Sequence, residues 1–175
     1  MANTYKLITS NVLSGSATSV TFSSIPQTFS DLEIRMFFKT SYASSVGQVV
    51  RLICNGGTLS FNWMRVANNM NGWDSDTQIN VAFAQSPGLA TSDGDTGSIW
   101  GKSNVYIANY SDSTYNKSLI STGTFGLTTY GNTQPVWGQF VSSTTSATAI
   151  SSLQISDVSG GSLLTGCRFD LYGIN

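Results

Sequence analysis

One segment sets the terms for the whole chain. Across residues 29–40, Leu32, Ile34, Met36 and Phe38 fall on one side, while Asp31, Glu33, Arg35 and Lys39 fall on the other. This period-two alternation is what a strand with one buried and one wet face requires, and a helix cannot satisfy it. No other stretch offers a capped apolar stripe of period 3.6, so helices are not expected to build the core. Phe37 interrupts the polar face, and the expectation is that a second layer or a neighbouring subunit covers it. Further strand-like runs lie at 5–10, 19–24, 48–54, 59–65, 98–110, 118–125, 136–142, 149–155 and 168–174. They are separated by Gly-, Asn-, Asp- and Ser-rich turns such as Asn55-Gly56-Gly57, Asn71-Gly72 and Gly160-Gly161. About ten short strands in 175 residues predict a single domain spanning 1–175. Its fold class is all-β, a two-sheet antiparallel β-sandwich of jelly-roll-like type. One short helical turn is expected near 64–70. Two irregular loops, 67–77 and 85–97, are expected to carry any binding function.

Composition narrows the chemistry. Only 10% of the residues are charged and the formal net charge is −1, which leaves no basic footprint for a phosphate backbone. No nucleic-acid partner is expected. The chain has no histidine, which removes His-dependent triads and His-ligated metals. No apolar run approaches the ~20 residues needed to span a bilayer as a helix, so no membrane partner is expected. The first ten residues lack the basic-then-apolar order of a signal peptide, and the expectation is a product made in a cytoplasm. The two cysteines, Cys54 and Cys167, match no metal-ligand spacing and are read as buried free thiols.

The acidic groups are eight aspartates and Glu33. Asp74-Ser75-Asp76 and Asp93-Gly94-Asp95 pair carboxylates in loop-like sequence, which suits a hard cation and equally suits a pair of Asx turns. The turn reading is preferred, and no metal or other cofactor is expected. A glycosidase needs a proton-donating carboxyl set opposite a second carboxylate, whereas Glu33 sits two residues from Arg35, a setting for an ion pair. No nucleophile elbow and no phosphate-cradling glycine loop is present. The chain is therefore not expected to be an enzyme. Among the aromatics, Trp100 and Trp137 fall in strand-like runs and are read as structural. Trp73, flanked by Asn and by Asp74 and Asp76, is the surface candidate. Trp73, Asp74 and Asp76 are the residues proposed to meet a glycan or a partner subunit.

Four stretches, taken in order, resemble small β-rich virion proteins of tailed bacteriophages. Val20–Leu32 carries the strand and Ser-Ile-Pro-Gln-Thr turn of that family. Arg51-Leu-Ile-Cys-Asn-Gly-Gly57 is similar to its "RFNGD" strand and turn, with Gly57 in place of the acid. Residues 105–117 resemble an "I-x-N-Y-x-x-S-x-Y-K" segment with Asn116 as an extra residue. Arg168–Ile174 is similar to a closing "F-x-L-Y-G-I" strand. The resemblance implies a β-sandwich in a phage particle and brings no catalytic residues. Its implied role is a virion structural protein: a capsid decoration, cement or short-fibre subunit. It would be a homo-oligomer, with a trimer favoured, in contact with capsid or tail proteins. The alternative is a tail receptor-binding module that reads host surface glycan.

Overall fold

The computed structural model describes residues 4–42, 48–69, 72–92, 100–129 and 132–175. Twelve strands account for most of them: β1 (Tyr5–Val12), β2 (Ser19–Phe22), β3 (Asp31–Thr40), β4 (Gln48–Cys54), β5 (Phe61–Asn69) and β6 (Gly72–Val81). The rest are β7 (Ala84–Ser92), β8 (Gly101–Ala108), β9 (Ser118–Thr129), β10 (Asn132–Thr144), β11 (Leu153–Asp157) and β12 (Arg168–Ile174). A 3₁₀ turn, Asn55–Gly57, follows β4.

Antiparallel pairing gives one sheet the order β1-β12-β3-β8 and the other β2-β11-β4-β7. This is the double Greek-key arrangement of a jelly-roll sandwich. A short parallel bridge from Lys39 and Thr40 to Thr91 and Ser92 ties the two sheets at one corner. Two hairpins extend the first sheet beyond β8, in the order β8-β9-β10-β5-β6. That sheet is therefore eight strands wide.

The alternation of β3 does what its pattern demands. Leu32, Ile34, Met36 and Phe38 are fully buried and pack with Val105, Ile107, Phe169 and Leu171 against Val20, Phe22, Val50, Leu52, Leu153 and Ile155 of the opposite sheet. Each such side chain contributes roughly 1.5–3 kcal/mol on leaving water. Cys54 and Cys167 are free and buried within this core, and burial pushes both thiols above their ordinary pKa.

The expected helical turn near 64–70 is instead part of β5 over its described residues, 64–69. Phe61, Trp63 and Ala67 are buried at alternate positions, which is strand periodicity. The expected loops are corrected too. Residues 72–81 form β6, paired with β5 from Asn69↔Gly72 to Phe61↔Val81, and 84–92 form β7. Both are polar, Gly- or Pro-containing sequences whose backbone is recruited by a neighbouring strand rather than by a core-facing pattern. Asp93, Gly94 and Asp95 lie outside the described residues.

The segment 145–152, between β10 and β11, is irregular, and side chains fasten it. The buried Lys117 ammonium donates to the carbonyls of Asp112, Tyr115 and Ala147. Burial lowers its pKa below the ordinary lysine value, and the nearby Asp112 carboxylate opposes that shift. Buried Tyr110 donates its hydroxyl to the Pro26 carbonyl, while its own carbonyl accepts the Ile150 N–H at 2.8 Å. The Gln27 amide donates to Ile25 and Ile150 carbonyls at 2.8 and 3.1 Å. Asn55, held at φ +49, donates to the Ala149 carbonyl, and its Oδ1 accepts the Ser151 and Ser152 N–H groups. The left-handed run continues through Gly56 and Gly57 at φ 66 and 90, which is where glycine is needed.

Two substitutions test these supports by urea denaturation. Lys117→Met keeps the stem but leaves three carbonyls without their donor, and we expect a loss of at least ~2 kcal/mol. A Cβ on Gly173 would fall 2.3 Å from the Phe29 ring, so Gly173→Ala should cost about 1–3 kcal/mol through overpacking. A stability unchanged within error for Lys117→Met would show that the ammonium does not hold this segment.

Candidate functional site: the outer face of the wide sheet

Strand register decides which side chains share the outer face of the eight-stranded sheet, because directly paired residues point to the same side. Three rows cross it. The first runs Leu7, Tyr172, Glu33, Tyr106, Ile120, Val141, Met64. The second runs Ser10, Asp170, Arg35, Asn104, Thr122, Gln139, Val66. The third runs Val12, Arg168, Phe37, Lys102, Thr124, Trp137.

The β1–β12–β3 part of this face is an ion-pair and aromatic cluster. Arg35 Nε donates to Glu33 Oε1 at 2.6 Å, and its guanidinium lies 4.6 Å from the Tyr172 ring centroid and 5.3 Å from that of Tyr5. Arg168 Nε donates to both oxygens of Asp170, at 3.1 and 2.8 Å, and the Ser10 hydroxyl donates to the same carboxylate. Glu33 is thus engaged by Arg35, the ion pair its sequence setting suggests. The Glu33 charge raises the pKa of Tyr5, assisted by a hydrogen bond between them.

Further along the first row the character changes. Tyr106, Ile120, Val141 and Met64, with Val66 beside them, are each between 37% and 49% exposed. They come from four consecutive strands, β8, β9, β10 and β5, and form an apolar stripe. Tyr106 is held upright by donating its hydroxyl to Asp31 Oδ2 at 2.5 Å, and Asp31 Oδ1 accepts the Asn109 N–H at 2.8 Å.

The third row holds two further exposed aromatics, Phe37 and Trp137. Phe37 is 47% exposed and is stacked on Trp100 of the same chain, with ring centroids 5.1 Å apart and planes inclined by 11°. Its partial cover is intramolecular. Trp100 is half-buried, in keeping with a structural role. Trp137, read from the sequence as structural, is 40% exposed on the outer face. Its neighbours in β10, Gly138 and Phe140, take the inward positions, so the strand register turns Trp137 outward.

Of the sequence candidates, Trp73 and Asp74 are placed by backbone register alone, opposite Asn68 and Ala67 of β5. Asn68 in turn pairs with Trp137, so Trp73 lies two strands from Trp137 in backbone register. Asp76 pairs with Arg65, and its carboxylate accepts the Thr77 N–H at 2.8 Å, a turn-like local bond rather than a cation ligand. Among the described residues no group of three His, Cys, Asp or Glu side chains is placed to hold a metal. Sequence reading missed Lys102, Tyr106, Ile120, Val141 and Met64 as surface features. The alternation within β8 and β9 was visible, but which face the sandwich covers depends on the opposite sheet.

The hydrogen bond to Asp31, with burial second, pushes the Tyr106 hydroxyl up to about 12. A folded pKa above the unfolded value of 10.0 gives stability that is complete below pH 10 and is lost as pH rises toward 12. We expect ultraviolet titration to show a tyrosine step near pH 12 that is absent in Tyr106→Phe, with stability falling in that window. A normal titration for every tyrosine would contradict the Asp31 contact. No family model, no curated protein and no solved structure matches the chain.

Proposed function

We propose that the protein is a structural subunit that works by protein–protein contact, assembling with copies of itself through the outer face of the wide sheet. The observation that carries this reading is the apolar stripe of Tyr106, Ile120, Val141, Met64 and Val66. Contiguous apolar surface of this kind on a polar, charge-poor chain marks a contact surface. The resemblance to phage virion proteins supplies the setting: a capsid decoration, cement or short-fibre subunit in the virion, made in the host cytoplasm, bound to capsid or tail proteins. A homotrimer is the proposed state. Three of the resembling stretches hold the segment 145–152 in place through Gln27, Asn55, Tyr110 and Lys117, so the residues that carry the resemblance are structural ones. That supports a building-block role more than a catalytic one.

Native mass spectrometry and light scattering at micromolar concentration test the reading. The expected mass is three times 18.7 kDa. Ile120→Lys together with Val141→Lys should weaken association by at least ~30-fold, about 2 kcal/mol, with the circular dichroism spectrum unchanged. A monomeric wild-type protein under these conditions would overturn the proposal.

The second reading, recognition of host surface glycan, is favoured by a different observation, the exposed aromatics Phe37 and Trp137 of the third row.

A further inference from the structure

Two shallow recesses lie side by side on the outer face. One, of about 190 Å³, is bordered by Arg35, Phe37, Lys102, Arg168 and Asp170. The other, of about 140 Å³, is bordered by Lys102, Asn104, Thr122, Thr124 and Trp137. Lys102 belongs to both, so together they form one trough running across β12, β3, β8, β9 and β10. Phe37 and Trp137 stand three strands apart within it, about 14 Å at the usual inter-strand spacing of ~4.8 Å. That span accommodates a short run of sugar rings laid across the strands, with an aromatic toward each end.

The charges in the trough are unevenly matched. Arg168 is engaged by Asp170 and Arg35 by Glu33, whereas Lys102 makes no ion pair among the described residues. The trough therefore has one uncompensated positive charge at its centre. Between the aromatics the lining is hydroxyl and amide: Thr122, Thr124 and Asn104. The Asn104 Oδ1 atom is buried with no hydrogen-bond partner, an unmet acceptor beneath the trough's lining. Aromatic faces at the ends, neutral polar groups between them and a single central cation together describe a receptor for a sugar chain bearing an acid group.

We propose that this trough binds an acidic oligosaccharide, with sugar faces against Phe37 and Trp137 and a carboxylate of the ligand at Lys102. The trough's central Lys102 lies about 13 Å along β8 from Tyr106 of the apolar stripe, four residues at ~3.3 Å each, and Asn104 and Thr122 stand between the two. This binding role rests on the glycan reading and not on the assembly reading.

The test uses the full chain on an array of neutral and uronic- or sialic-acid-containing oligosaccharides, followed by calorimetry with the strongest acidic binder. We expect acidic members to bind above their neutral counterparts. Trp137→Ala and Lys102→Ala should each weaken binding at least ~10-fold, and Lys102→Arg should retain most of it. Circular dichroism and native mass, recorded on every variant, separate loss of this site from loss of fold or of assembly. No binding to any acidic member would overturn the proposal, as would equal binding of neutral and acidic members. Binding indifferent to Trp137→Ala would overturn its placement in the trough.

Discussion

The structure depends on satisfying the backbone of one irregular stretch. Residues 145–152 return the chain from the extended hairpin β9–β10 to the small sheet at β11, and a coil in that position carries carbonyls and N–H groups that no strand ladder serves. Leaving such groups buried and unpaired costs roughly 1–3 kcal/mol each. The chain meets the demand with the Lys117 ammonium, the Gln27 and Asn55 amides and the Tyr110 backbone carbonyl, all anchored on this one stretch or its flanks. A lysine is suited to the task because its three N–H donors can reach three carbonyls at once. With the return path fastened, β11 can pair with both β2 and β4 and complete the second sheet.

A second consequence is the asymmetry of the sandwich. The jelly-roll order alone would make two sheets of matching width. The β5–β6 and β9–β10 hairpins join the first sheet at its β8 edge, so that sheet extends past its partner. Its inner face is occupied by the core and by β7, which packs across β8 and β9. Its outer face is left broad and open. The arrangement separates duties: charges and aromatics near β1, β12 and β3, an apolar stripe across β8, β9, β10 and β5, and a trough centred on Lys102.

Much of the fold was legible in the sequence for a simple reason. Where a strand has one buried face, hydrophobic alternation reports it directly. The bounds of β4 and β12 and the inward set of β3 followed from that pattern. Strands β6 and β7 were not legible because their pairing is set by neighbours: Asp74, Ser75, Asp76 and Thr77 show no apolar period, and Pro87 and Gly88 read as loop. The short helix expected at 64–70 failed because Met64 and Val66 are apolar yet face outward, blurring the period of two. The candidate site was only partly legible. Aromatic and polar residue types could be seen, but their union in one row needs the register of five strands, which sequence spacing does not contain.

The most direct test of the central constraint is native-state hydrogen exchange of the amides that fasten 145–152, namely Ile150, Ser151 and Ser152, with Ile25, which donates to the Ser151 carbonyl at 3.0 Å. If these contacts hold the return path, the four amides exchange only with global unfolding, at the same free energy as core amides of β3 and β12. Exchange of this segment at rates typical of an exposed coil, while β3 and β12 stay protected, would contradict it.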